Sequence, residues 1–217
     1  MTKFEKLKQH VPDLNLMKHK ILILAAIIVS VTSCGQNGNK SGWTDEERGI
    51  ITCDGDIMRV LTINDKEDSL FLRKQCSDIG TEDILSDTYM MLAEKMIATV
   101  TSPDQDGVGI AGPQVGISRR IVAVQRMDKE GEPFEVYPNI RITATRGEKE
   151  PGGEGCLSIP DRYGRVMRWQ DIDIAYSSPV TGRDTSETIS GFTAVIFQHE
   201  TDHLDGILYI DKLEPAE

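Results

Sequence analysis

Residues 191–206 read GFTAVIFQHETDHLDG, an alternation of apolar and polar positions bracketed by two glycines, which predicts one helix. Within it His199, Glu200 and His203 form an HExxH pattern. Four residues make about one helical turn, so both imidazoles leave the same face and can share a metal ion, with Glu200 about 100° round and able to reach water on that ion. The plainer account of these residues is an exposed helix with two histidines and a salt-bridging glutamate.

Two imidazoles do not close a metal site; a catalytic ion takes three protein ligands and keeps one position for water. Downstream of His203 only Asp205, Asp211, Glu214 and Glu217 remain as further donors. The stronger candidate lies upstream, in Glu154-Gly155-Cys156-Leu157-Ser158. Cys156 is a plausible thiolate donor, stabilised by the charge of the ion itself, although a lone cysteine is more often an inert buried hydrophobe. A third element is GVGIAGPQVG at 107–116. Gly107, Gly109 and Gly112 spell GxGxxG, but they follow the break SPDQDG rather than a strand, and Pro113 stands where a helix would begin, which argues against a dinucleotide loop. Small residues there suit a backbone lying close to a ligand, to which Gln114 could donate a hydrogen bond.

Working outward, Thr81 offers an N-cap to apolar positions Leu85, Tyr89, Leu92, Met96 and Val100, one face of a helix of about 20 residues. Strands are expected at Ile121–Val124, Phe134–Thr145 and Ile172–Ser177, the last meeting Thr185–Ile189 in a hairpin across Pro179–Gly182. Met58–Ile63 reads as an edge strand and Ile207–Ile210 as a last one. The expected class is α+β, with mostly antiparallel strands around a central helix that bears the HExxH residues.

The amino terminus reads as an address. Ile21–Val31 (ILILAAIIVSV) is shorter than the roughly 20 residues that span a bilayer, but suits a signal-peptide core, with Lys18, His19 and Lys20 ahead of it. Val31-Thr32-Ser33-Cys34 resembles a bacterial lipobox, whose cysteine takes the lipid. The organisation expected is therefore a signal peptide over 1–33 (with Met17 as a possible true start), a lipid-anchored tether and extension over 34–57 that begins with the flexible GQNGNKSG, and a catalytic domain over 58–217. That implies an exported, cell-envelope protein held to the membrane through Cys34. The chain has 217 residues, 39% hydrophobic and 27% charged, a balance that argues against disorder and against a multi-span membrane protein. A net charge of −11 argues against a nucleic-acid-binding surface, and four cysteines are too few for a disulfide scaffold. Cys53 and Cys76 could form one disulfide outside the cytoplasm, or remain two separate thiols.

Taken together, GVGIAGPQ at 107–114, EGCLS at 154–158 and QHETDH at 198–203 resemble the three signature motifs of the peptide deformylases, in order, and Val166-x-Arg168 extends the likeness. The resemblance runs from about Met58 to Leu213. It implies a metal-dependent hydrolase that removes the formyl group from N-formylmethionyl peptides. Cys156, His199 and His203 would hold one divalent ion, ferrous iron in many members, while the ligand chemistry also permits zinc, nickel or cobalt. Glu200 would act as general base on metal-bound water, and the Gln114 amide and the Leu157 backbone N–H would receive the oxyanion. The backbone at Gly109 and Gly155 would pair with the peptide, and Ile110, Val195, Ile196 and His199 would line a pocket for the methionine side chain. One departure is Gly112, where the family usually has alanine; the expectation is a looser loop beside the pocket. The leader is at odds with a reaction that belongs at the ribosome, which leaves open an exported metallo-amidohydrolase or peptidase on other peptides, or a non-catalytic lipoprotein that binds formyl peptides or metal. Glu200 and Gln114, dispensable for mere binding, favour an enzyme.

Overall fold

The computed structural model describes residues 42–214; the expected signal segment, Cys34 and the tether up to residue 41 lie outside them. No helix among the described residues is long and apolar enough to cross a membrane. Among the described residues, six strands form two three-stranded antiparallel sheets. The first is β1 (Gly109–Ala111), β2 (Ile121–Gln125) and β3 (Phe134–Pro138), and the second is β4 (Arg141–Cys156), β5 (Ile159–Ser177) and β6 (Asp184–Ser190). Among the described residues, four helices precede the sheets: α1 (Asp45–Thr52), α2 (Lys66–Leu72), α3 (Thr81–Ile84) and α4 (Asp87–Val100). The helix α5 (Gly191–Leu204) follows them and packs against β1, β2, β5 and β6, so it lies between the sheets.

The reason for that central position is visible in β2. Its run IVAVQ is apolar on both faces: Ile121 and Ala123 enter a core with Leu92, Met96 and Val100 of α4, while Val122 and Val124 enter a second core with Ala194, Ile196 and Phe197 of α5. Strand alternation delivers the two sets to opposite sides, which is why the run shows no polar face in the sequence. At Trp169, β5 has already lost its β6 partner, because that pairing begins at Asp171. The Gln198 side chain takes over there: its Oε1 accepts from Trp169 N at 3.0 Å and its Nε2 donates to Trp169 O at 2.7 Å. One side-chain amide thus replaces a strand and pins the HExxH helix to the second sheet.

Several expectations are corrected. The helix over 81–100 is two, because Ser86 ends the first by donating to Asp83 O and caps the second by accepting from Tyr89 N. Phe134–Thr145 is broken at Asn139, held at φ 58° with its side chain bonded to both Ile79 N and Ile79 O. Met58–Ile63 joins no sheet; it is tied by single bonds to Thr99, Gln114 and Ser158. Ile207–Ile210 is no strand either: a 3-10 turn, Tyr209–Lys212, replaces it, with Asp211 accepting from Leu208 N and from Arg73. Within the extension expected over 34–57, residues 43–52 pack on the domain: Trp43 and Ile51 are buried in the first core beside α4. Cys53 and Cys76 are separate thiols.

Candidate active site

On α5 the spacing of four residues brings the His199 and His203 rings to 5.2 Å between centroids. Cys156 reaches them from the end of β4, where the pairing with β5 shifts register between Gly155 and Cys156. Such an irregularity re-aims the side chain that follows it. The Cys156 Sγ lies 3.2 Å from His203 Nε2, and one donor atom from each of Cys156, His199 and His203 falls within 4.8 Å of the others. Tetrahedral coordination with ordinary metal–sulfur and metal–nitrogen bonds requires a sulfur–nitrogen separation of about 3.6 Å, so the three donors fit a single divalent ion. The chemistry of the set agrees: one thiol and two imidazoles suit iron, zinc, nickel or cobalt rather than magnesium or calcium.

A second layer orients these ligands. Glu154 accepts from His199 Nδ1 at 2.8 Å, which leaves Nε2 of that ring for the ion. Arg168 in turn grips Glu154 with Nε and Nη2 at 2.7 and 3.0 Å and reaches Asp202 at 2.6 Å. Burial would raise the Glu154 pKa, but the hydrogen bonds from Arg168 and His199 prevail and hold it at about 2. Burial likewise opposes charge on His199, yet its bonds to the Cys156 sulfur and to Glu154 push it up to about 10, whereas burial and the His199 charge drive His203 far down. Tyr209 stacks on His199 with ring centroids 6.0 Å apart, and its hydroxyl donates to Arg162 O.

Glu200 is fully enclosed, and burial, reinforced by Glu154, pushes its pKa up to about 7. Its Oε2 has no partner among the described residues. The room for it comes from Gly109: a Cβ there would stand 2.5 Å from Glu200 Oε1 and 2.9 Å from Ile196 Cγ2. Gln114 lies in a 3-10 turn, Gly112–Val115, where Ala111 N donates to its Oε1 at 2.8 Å. That bond fixes the amide with Nε2 outward, 3.2 Å from Ser158 Oγ and 3.6 Å from Cys156 Sγ.

These groups open on one cavity of about 620 Å³. Gly109, Gln114, Gly155, Leu157, His199 and Glu200 line it, as do Val195 and Ile196. Ile110 does not belong to that wall; it is fully buried in the core beneath α4. Alternation along β1 explains the correction, since Gly109 and Ile110 must face opposite ways. Gly112 is corrected too. A Cβ there would lie 2.8 Å from the backbone oxygens of both Ile117 and Arg119, so the glycine admits a tighter loop, not a looser one. The orienting roles of Glu154, Arg168 and Tyr209 were missed. For Glu154 a signal was present: it stands two residues before Cys156, inside the same EGCLS motif.

The sequence matches the Polypeptide deformylase family over residues 57–217. It is 40% identical over 154 residues to "Peptide deformylase 1" of Clostridium perfringens, covering 71% of this chain and 97% of that one. It is 38% identical over 145 residues to a peptide deformylase of Thermotoga petrophila, covering 67% of this chain and 82% of the relative. The crystal structure of a Thermotoga maritima peptide deformylase superposes with a TM-score of 0.64 at 32% identity, over 73% of this chain and 99% of that one. An actinonin-bound class I type b peptide deformylase from Acinetobacter baumannii gives 0.64 at 31% identity, over 73% and 99%.

Proposed function

The chain belongs to the polypeptide deformylase family, and from that premise we propose which of its residues carry out the reaction, with which ion and where. The reaction is metal-dependent hydrolysis of the formyl group of N-formylmethionyl peptides. The observation that carries the residue assignment is the convergence of Cys156, His199 and His203 beside a buried, unpartnered Glu200.

Cys156, His199 and His203 hold the ion. When bound, it supplies Lewis acidity, polarising a carbonyl and bringing the pKa of water toward neutrality. Glu200, poised near 7 by its burial, accepts the proton of the attacking water and delivers it to the peptide nitrogen as the C–N bond breaks. The negative charge that develops on the formyl oxygen is met by Gln114 Nε2 and the Leu157 N–H, held in place before the reaction starts. Gly109 and Gly155 offer backbone to an extended peptide at the open edges beside the cavity, and Val195 and Ile196 present an apolar wall to the first side chain.

The resident ion in this proposal is ferrous iron, as in many members of the family, supported by a donor set that suits borderline metals. The signal core at 21–31 and the lipobox ending at Cys34 support a lipid-anchored protein of the cell envelope; fatty-acid labelling that persists in Cys34→Ala would refute the anchor. The assay of the site is turnover of a formyl-methionyl tripeptide by anaerobically prepared protein, with elemental analysis alongside. Glu200→Ala should keep its metal and lose nearly all hydrolysis, and Cys156→Ser should lose metal. A fully active Glu200→Ala protein would overturn the assignment.

A further inference from the structure

The helix α1 precedes the residues that match the family, which begin at 57, yet it is built into the loop that carries Gln114. We infer that residues 43–56 are a strap that positions the Gln114 amide, an inference that rests on the oxyanion role given to Gln114 above. The strap is itself a closed unit: Thr44 Oγ1 accepts from Glu47 N at 3.1 Å, and Glu47 Oε2 accepts from Thr44 N at 2.8 Å. The same carboxylate takes both edges of Arg119, Nε at 2.6 Å and Nη2 at 2.8 Å. Both side chains of the pair are about nine-tenths buried, at 11% and 10% exposure, so the fork is shielded from competing water. Arg119 Nη2 also donates to Gly42 O at 2.9 Å, and the Trp43 ring lies under the guanidinium at 5.8 Å.

Arg119 transmits this to the catalytic turn through its main chain. Its carbonyl oxygen stands 2.8 Å from where a Gly112 Cβ would be, two residues before Gln114. Ile50 of the strap approaches the other end of the turn, where a Cβ added to Gly116 would meet its Cδ1 at 3.4 Å. Ile51 is buried in the same core as Val115 and Ile117. Just beyond the strap, Leu61 N donates to Gln114 O at 2.8 Å, fixing the backbone of the residue itself. A donor that acts only as charge develops must be placed to within a few tenths of an ångström, and the buried turn Gly112–Val115 takes that precision from the groups packed around it. Glu47 and Ile50 are thus positioning residues, remote from substrate.

Glu47→Gln and Ile50→Ala, each made in the metal-loaded protein, test this. Each should lower kcat about five- to twentyfold with KM within about twofold, because the interaction weakened belongs to the transition state. Metal content should be unchanged. In a Gln114→Ala background neither substitution should lower kcat further. Amide hydrogen exchange over residues 111–117 should quicken in both variants, a readout independent of turnover. Parental kcat with unaltered exchange in both variants overturns the strap, and so do losses that multiply with that of Gln114→Ala. A parent protein without turnover would instead refute the deformylase assignment, and the exchange rates would still decide the strap.

Discussion

Gly109→Ala probes the site through one methyl group. Ordinary contact begins near 3.4 Å, and the new Cβ would stand 2.5 Å from Glu200 Oε1 and 2.9 Å from Glu200 Cδ. The carboxylate must therefore retreat by about 0.9 Å, and a misplacement of that size in a reacting group costs up to about a hundredfold in rate. Glu200 has nowhere to retreat at no cost, since it is buried and Ile196 Cγ2 meets the same methyl at 2.9 Å. The resulting overpacking should cost about 1–3 kcal/mol of stability, or a fall in Tm of about 2–10 °C. Measured on a formyl-methionyl peptide, kcat/KM should drop by about two orders of magnitude with the metal still bound. Shortening the acid tests the cause. Glu200→Asp alone should be costly, but in the Gly109→Ala protein it should cost less, because the shorter side chain clears the methyl. Parental kcat/KM in Gly109→Ala, or two losses that simply multiply, would refute the claim that this glycine exists to make room for the general base.

Three further outcomes are expected. Glu154→Gln removes the carboxylate that orients His199 and should weaken metal retention by about 10–100-fold, measured by competition with a chromophoric chelator; unchanged affinity would count against an orienting role. Stripping the ion with a chelator should lower Tm, and re-adding metal should restore it, rising with the logarithm of metal concentration, because the three donors converge only in the folded chain. A Tm indifferent to metal would deny a site formed by folding. Burial would raise the pKa of Glu47, but hydrogen bonds from Arg119 and Thr44 outweigh it and hold the group below 4.5. A depressed pKa contributes stability above the unfolded value and loses it as pH falls through the folded one. Urea midpoints of the parent and Glu47→Gln should accordingly differ at pH 7 and converge only below about pH 4.5; a gap that persists well below that pH would contradict the ion pair.

The site was legible to different depths at different residues. His199 and His203 could be paired in advance because helical periodicity alone sets them on one face. Cys156 was joined to them only through the family resemblance, since 42 residues of strand, hairpin and helix lie between it and His199. Gly109 was read as backbone lying close to a ligand; the group it approaches in the structure is the Glu200 side chain. Ile110 was assigned to the pocket because its neighbour belongs there, and the pleat of β1 sends it the other way. The helix over 81–100 looked continuous because its apolar spacing runs through Ser86, where the hydroxyl ends one helix and caps the next.

The chain alone dictated what depends on near neighbours: the HExxH face, the two-sided apolar strand at Ile121–Gln125, the hairpin before Asp184, and an α+β arrangement of antiparallel strands about one helix. These follow from periods of 3.6 and 2 and from turn residues, which act over a few positions. The folded molecule decided what depends on distant partners. It set Glu154 between Arg168 and His199, enclosed Glu200 until its acidity shifted, and laid residues 43–56 against the Gln114 turn. Burial and charge pairing are sums over groups remote in sequence, so no local pattern carries them.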